Sequence, residues 1–141
     1  NAVCSPTRAT YLTGLMPSKH GVHSYLGTGS LSAPSTHYTL SEFRTLPKIL
    51  GEAGYTCGLA GKWHLGDCLY PQDGFTYWVT KPGGHTSTFY DADVIENGAV
   101  RKEPTYLTDF WTRHAVRFIE QNKDRSFFLY LPYNGPYGLG S

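Results

Sequence analysis

The stretch CSPTRATYLTG, at residues 4–14, decides most of what the sequence predicts about the fold. It predicts a helix of about ten residues, because Ser5 can cap the N-terminus, Pro6 suits the first helical position and Gly14 suits the end. It also fixes which residue lies at the N-terminal end.

Cys4 lies at that N-terminal end, where the positive end of the helix dipole makes a thiol more reactive. Arg8 follows one helical turn later and can reach the same space. A cysteine, a helix N-terminus and an arginine together favour binding of phosphate, sulfate or carboxylate. A buried cysteine beside a capped helix would give the same pattern, so this motif alone leaves both interpretations open.

A second informative stretch is GKWHLG, at residues 61–66. It directly follows residues 55–60, which form a predicted buried strand, and ligands of open α/β sheets bind at the carboxyl ends of strands. Side chains alternate along an extended chain, so Lys62 and His64 are expected to point to the same side. An ammonium and an imidazole held together can bind an oxyanion and transfer a proton. Either residue alone is more typical of an ordinary surface lysine or a packed histidine.

The remaining pattern predicts an α/β fold with a mostly parallel sheet flanked by helices. A helix is followed by a strand twice, which is typical of parallel sheets. We expect no internal repeat, and we expect the last strand to be central in the sheet because it is short and apolar. The predicted helices are 45–54 and 105–122, the strands are 55–60, 75–80 and 126–131, the loops are 17–40 and 81–104, and Asn97-Gly98 forms a tight turn.

Composition excludes several classes of protein. The 141 residues carry a net charge of +1, with 16% charged, 40% hydrophobic and 15% aromatic residues. Disordered chains have few aromatics and more charge, and nucleic-acid binding needs a stronger positive charge. The longest apolar run, residues 127–131, is too short to span a membrane.

Other candidate site residues carry weaker signals. Cys57 and Cys68 could form a disulfide or remain two buried thiols, and the spacing decides neither. With His64 they offer only three zinc ligands in no common pattern. Further candidates are Asp91 and Asp93 as a metal pair, His20 and His23 as pocket residues, His114 as a packed histidine on the apolar face of the last helix, and His37 and His85 as loop residues without an evident partner.

The two motifs, in this order and spacing, resemble the two signatures of the type I, formylglycine-dependent sulfatases of the alkaline phosphatase-like superfamily. The resemblance covers nearly the whole chain. Further stretches that agree are PSKHGV at 17–22, LGEAGY at 50–55 and FFLY at 127–130. The fold implied is the alkaline phosphatase-like catalytic domain, with residues 1–141 as an internal fragment that lacks the first strand and a C-terminal metal-binding segment. Such a fragment is expected to be inactive without the rest of its parent.

The resemblance implies hydrolysis of sulfate esters. Cys4 is expected to be oxidised to formylglycine by a formylglycine-generating enzyme or maturase, and as formylglycine to be a ligand of calcium. One hydroxyl of the hydrated aldehyde attacks sulfur, and the other later expels sulfate. Arg8 is expected to hold the formylglycine, Lys62 to bind the sulfate oxygens and the nucleophile, and His64 to orient the diol and act as the base.

The resemblance has departures and alternatives. Tyr137 stands where the family carries a histidine, and a tyrosine, with a pKa near 10, is a poor acid for the same step. The alternatives are a phosphonate or phosphate ester hydrolase of the same superfamily and a non-catalytic, truncated relative. The expected substrate is a sulfated small molecule or glycan, with no nucleic-acid partner and no membrane span. Family resemblance suggests a periplasmic, secreted or lysosomal location.

Overall fold

The computed structural model describes residues 2–27 and 38–135. They form a five-stranded sheet with helices packed around it. The α/β fold predicted from the sequence is therefore confirmed. The helices are α1 (Cys4–Thr13), α2 (Pro17–His20), α3 (Leu46–Glu52) and α4 (Leu107–Asn122), and the strands are β1 (Thr56–Ala60), β2 (Tyr77–Thr80), β3 (Ala92–Glu96), β4 (Ala99–Glu103) and β5 (Phe127–Tyr130).

The sheet is mixed, with the strand order β4-β3-β2-β1-β5. Strand β1 pairs in parallel with both β2 and β5, so the parallel part forms the centre and one end. Strands β3 and β4 form an antiparallel hairpin around the predicted Asn97-Gly98 turn. The prediction that β5 is central is wrong for the described residues, because β5 pairs with β1 alone and lies at one end of the sheet.

The hairpin contradicts the prediction of a loop over residues 81–104. Four of the five residues of β4 are exposed, so this strand lacks the apolar pattern that marks a buried strand. It forms because it pairs along its whole length with β3, whose side chains are mostly buried. The charged side chains of β4 also protect the outer edge of the sheet.

Helix α4 covers one face of the sheet through its apolar side. Phe110, Trp111 and Phe118 are almost completely buried there, as the helical spacing predicts. The Phe118 ring lies against the backbone of Gly58 in β1, where any side chain atom would come within 2.6 Å of the ring. A glycine at this position therefore allows the helix to approach β1 closely.

Two further sequence predictions are settled by the structure. The expected loop over residues 17–40 contains helix α2 at its start, with Pro17 in the first turn and Gly21 at the end in a left-handed conformation, φ 75°. Cys57 and Cys68 are separate buried thiols, and no disulfide joins them.

No helix within residues 2–27 and 38–135 has the length and apolar character needed to cross a membrane.

Candidate active site

Helix α1 places Cys4 at its first residue and ends at Gly14, which has a left-handed backbone with φ 70°. The prediction of the helix is confirmed, but the predicted cap is wrong. Val3 occupies the capping position, and no side chain caps the helix. Ser5 is fully buried inside the first turn instead, where its Oγ accepts a hydrogen bond from the backbone N–H of Leu26 at 3.1 Å. Ser5 thus fixes the segment around Leu26 beside the N-terminus of the helix.

Arg8 joins the two sequence motifs. Its Nη1 donates a hydrogen bond of 2.6 Å to the backbone carbonyl of Lys62, 54 residues away. The same nitrogen lies 3.5 Å from the hydroxyl of Tyr130, at the end of β5. The Nε of Arg8 is buried and has no hydrogen-bond partner within the described residues. The guanidinium is therefore held by the second motif while it keeps donor capacity in the site.

Lys62 is 1% exposed, although it carries a charged side chain. Its ammonium makes a side-chain hydrogen bond to Cys4. Burial lowers the pKa of Lys62, while Cys4 acts in the opposite direction and the positive charge of Arg8 adds to the lowering. A buried cation in contact with the side chain at the helix N-terminus provides the oxyanion site that the sequence predicts.

His64 lies close enough to Lys62 and Arg8 for their charges to act on it. The alternation of an extended chain, which we expected to bring Lys62 and His64 to the same side, does not explain this proximity. His64 instead has a left-handed backbone with φ 57°. This conformation is uncommon for a residue with a side chain, and it turns the imidazole into the site.

The imidazole of His64 is held in one neutral form. Its Nε2 lies 2.9 Å from the backbone carbonyl of Leu26, and a carbonyl only accepts, so Nε2 carries the proton. The Nδ1 atom is then an acceptor, and it is buried with no hydrogen-bond partner within residues 2–27 and 38–135. Burial lowers the pKa of His64 to about 4, with the nearby cations adding to the effect. His64 is therefore neutral at pH 7 and can accept a proton at Nδ1.

The sequence reasoning missed a third buried cation, Lys81, which directly follows β2 and is 7% exposed. Its charge acts on both Lys62 and His64. The signal was present in the sequence, because Lys81 follows its strand as Lys62 follows the neighbouring parallel strand β1. The turn after Lys81 brings Gly84 against the imidazole of His64.

Cavities lie on two sides of Cys4. The larger has a volume of about 600 Å³ and is also bordered by His64 and His85, for which the sequence indicated no partner. The smaller has a volume of about 430 Å³ and is also bordered by Arg8 and Tyr130. None of the described residues that border either cavity is acidic. The site therefore suits an anion, and Cys4 is accessible to it.

Calcium does not fit the described residues by themselves. No group of three or more His, Cys, Asp or Glu side chains within residues 2–27 and 38–135 is arranged to hold a metal ion. Calcium prefers several oxygen ligands, and neither cavity beside Cys4 has a carboxylate among its described borders. Asp93 instead pairs with Lys102 at 3.0 Å on the surface, so the structure gives no support to a metal pair with Asp91.

Three other candidate histidines, His20, His23 and His114, border neither of the two cavities beside Cys4. His20 bonds to Thr10 at 3.1 Å and, with His23, borders a separate cavity of about 480 Å³. His114 packs on the apolar side of α4 and bonds to the hydroxyl of Tyr77 at 2.7 Å, as expected for a packed histidine. His37 and Tyr137 lie outside the described residues.

Comparison with known proteins gives consistent relatives. The chain is 31% identical over 139 residues to an N-acetylglucosamine-6-O-sulfatase of Bacteroides thetaiotaomicron, a match over 97% of this chain and 23% of the relative. It is also 31% identical to the human N-sulphoglucosamine sulphohydrolase, again over 97% of this chain and 23% of the relative. The chain thus spans about a quarter of the length of these curated relatives.

A solved structure supports the same fold. A protein in complex with its substrate D-glucosamine-2-N,6-O-disulfate matches with a TM-score of 0.74 and 31% identity, over 98% of this chain and 26% of that one. The expected alkaline phosphatase-like architecture is therefore confirmed. The family model described as Sulfatase matches residues 1–139, and the chain belongs to the sulfatase family.

Proposed function

We propose that this protein hydrolyses sulfate esters and that Cys4, after oxidation to formylglycine, carries the nucleophile. One observation supports this most strongly: the two sequence motifs meet at one site. Lys62 hydrogen-bonds Cys4, and Arg8 bonds the backbone of Lys62. The charges of Arg8 and Lys62 both act on His64. Residues up to 60 positions apart in the chain are thus brought together around the side chain of Cys4.

Lys62 and Arg8 are the proposed ligands of the sulfate group. Both carry positive charge, and both lie beside the N-terminus of α1, whose dipole also favours an anion. Charges held in a buried site act more strongly than in water, and they need no rearrangement as the anion forms. The arrangement therefore supports binding of the negative charge that develops on the sulfate oxygens.

His64 is the proposed base. With a pKa of about 4 it is neutral at pH 7, and its Nδ1 can accept a proton because Nε2 donates to the carbonyl of Leu26. In its modified form Cys4 would supply two hydroxyls, one to attack sulfur and one to expel sulfate after the alcohol has left. His64 would remove the proton that this second step releases, and Lys62 would keep the oxygen in place.

Several finer points are proposals of the same kind. The relatives named above act, by name, on sulfated amino sugars, so we propose the sulfate ester of a sugar as substrate. The cavity of about 600 Å³ beside Cys4 has room for a sugar unit. We also propose, from the family to which the chain belongs, modification by a formylglycine-generating enzyme or maturase, calcium binding by the whole protein and a periplasmic, secreted or lysosomal location.

The test uses the full-length protein made in a host that can form formylglycine. Intact mass is measured first, since oxidation of Cys4 to the aldehyde lowers it by about 18 Da. Hydrolysis of an aryl sulfate is then measured for the wild type and for Cys4→Ala, with Cys57→Ala as the matched control. We expect the mass change and the activity in the wild type and the control, and neither in Cys4→Ala.

The same assay separates the alternatives. Aryl phosphate and aryl phosphonate esters are tested in parallel. Faster hydrolysis of either one would show that this ester, and not the sulfate ester, is the preferred substrate. An unmodified Cys4 together with no hydrolysis of any ester would refute the proposal and favour a non-catalytic relative.

A further inference from the structure

Lys81 uses its buried ammonium to hold the chain that follows it. Its Nζ donates to the backbone carbonyl of Pro82 at 2.8 Å and to that of His85 at 2.8 Å. The side chain thus closes a turn over residues 82–85. A buried ammonium needs such partners, because leaving its donors unsatisfied costs free energy.

This turn forms one wall of the site around Cys4. A side-chain atom on Gly84 would lie 1.9 Å from Nε2 of His64, so the backbone of the turn packs directly against the imidazole. The backbone of Gly83 also hydrogen-bonds to Cys68, which gives the same turn a second contact. His85, at the end of the turn, borders the larger cavity together with Cys4.

We propose that Lys81 is a positioning residue: its ammonium fixes the turn over residues 82–85 so that the imidazole of His64 stays in place beside Cys4. The inference rests on the proposed sulfatase function. Lys81 does not need to contact the substrate to have this role. It acts on the reaction through His64 and through the shape of the cavity.

The positive charge of Lys81 also affects His64, because it lowers the pKa of the imidazole. Beyond burial, five titratable groups act on these two side chains: Lys62, Arg8 and Lys81 lower the pKa of His64, whereas the pKa of Lys81 is lowered by Lys62 and raised by Cys68 and Asp93. Burial lowers the pKa of Lys81 to about 8, so most of it is charged at pH 7. Removing the charge should therefore raise the pKa of His64.

Two substitutions in the full-length protein separate these contributions. Lys81→Met removes both the hydrogen bonds and the charge, whereas Lys81→Gln removes the charge and keeps a group with two N–H donors. Lys102→Met is the matched control, because Lys102 is an exposed lysine in the neighbouring β3–β4 hairpin, in a surface ion pair worth little. The readouts are kcat and KM on an aryl sulfate as a function of pH, and NMR titration of the His64 ring with labelled histidine.

We expect Lys81→Met to lower kcat/KM roughly ten- to hundredfold, the scale of a displaced catalytic group. Lys81→Gln should recover most of this loss, while both variants move the titration of His64 to higher pH and Lys102→Met changes neither. If Lys81→Met retains kcat/KM within about twofold and His64 titrates as in the wild type, the inference is wrong. If the wild type hydrolyses no sulfate ester, the proposed function fails, and the NMR titration still tests the effect of Lys81 on His64.

Discussion

Replacing Gly84 by alanine tests whether the position of His64 controls the reaction. The added Cβ would lie 1.9 Å from Nε2 and 2.1 Å from both Cδ2 and Cε1 of the imidazole. Real contacts of this kind are about 3.4 Å or longer, so one of the two groups must move by more than about 1 Å. Gly84 does not have the left-handed backbone that penalises a side chain, so the effect is purely one of space.

The imidazole has little freedom to move away. It is 5% exposed, and its Nε2 is bonded to the carbonyl of Leu26. Inserting a methyl group into a packed site costs about 1–3 kcal/mol, and a displacement of about 1 Å at a catalytic group can lower the rate by about 100-fold. We therefore expect Gly84→Ala to lower kcat on an aryl sulfate by about 100-fold in the full-length protein, with a moderate fall in the melting temperature.

The matched control is Gly51→Ala. Gly51 lies in α3, its added Cβ would meet nothing closer than 4.0 Å, and alanine favours a helix over glycine by roughly 0.5–1 kcal/mol. This variant should keep full activity and be slightly more stable. If Gly84→Ala keeps kcat within about twofold of the wild type, the packing of the turn against His64 is not what positions the base.

Three further predictions concern pH, redox state and packing. His64 has a pKa of about 4 in the folded chain against 6.5 when unfolded, so the unfolded chain binds the extra proton first, and stability should fall as pH drops from about 6.5 to about 4. Activity should fall only near pH 4, where His64 of the folded protein takes up its proton. His64→Gln should remove that part of the pH dependence of stability measured by urea unfolding. Dithiothreitol should leave the melting temperature unchanged, because Cys57 and Cys68 form no disulfide, and a fall of several degrees would contradict this. Gly58→Ala should destabilise the protein by about 1–3 kcal/mol, because its Cβ would lie 2.6 Å from the Phe118 ring, and unchanged urea unfolding would show that α4 packs differently.

Much of the fold follows from local patterns that the sequence carries. Helix α4 shows apolar residues at helical spacing over its whole length, and β1 is an apolar run bounded by glycines, so both were predictable. The hairpin of β3 and β4 was not, because β4 is exposed and charged and forms by pairing with its neighbour. A strand that depends on long-range pairing leaves little trace in its own sequence.

The residues of the candidate site could be predicted from the sequence, but their burial and the tautomer of His64 could not. Cys4, Arg8, Lys62 and His64 were all identified from the two motifs, and the structure brings them together. Lys81 was missed because a single lysine after a strand resembles any surface lysine until its burial is known. The tautomer of the imidazole depends on a backbone carbonyl, which no side-chain motif encodes.

The hydrogen bond from Arg8 to the carbonyl of Lys62 has a consequence for how the protein is made. These two residues are 54 positions apart, so the ribosome must add that much chain before the contact can form. At about 5–20 residues per second this takes roughly 3–11 seconds. During that interval Arg8 does not yet have its contact with the second motif. For the proposed oxidation of Cys4, this interval is a window in which the modifying enzyme would meet the thiol before the contact between Arg8 and Lys62 forms.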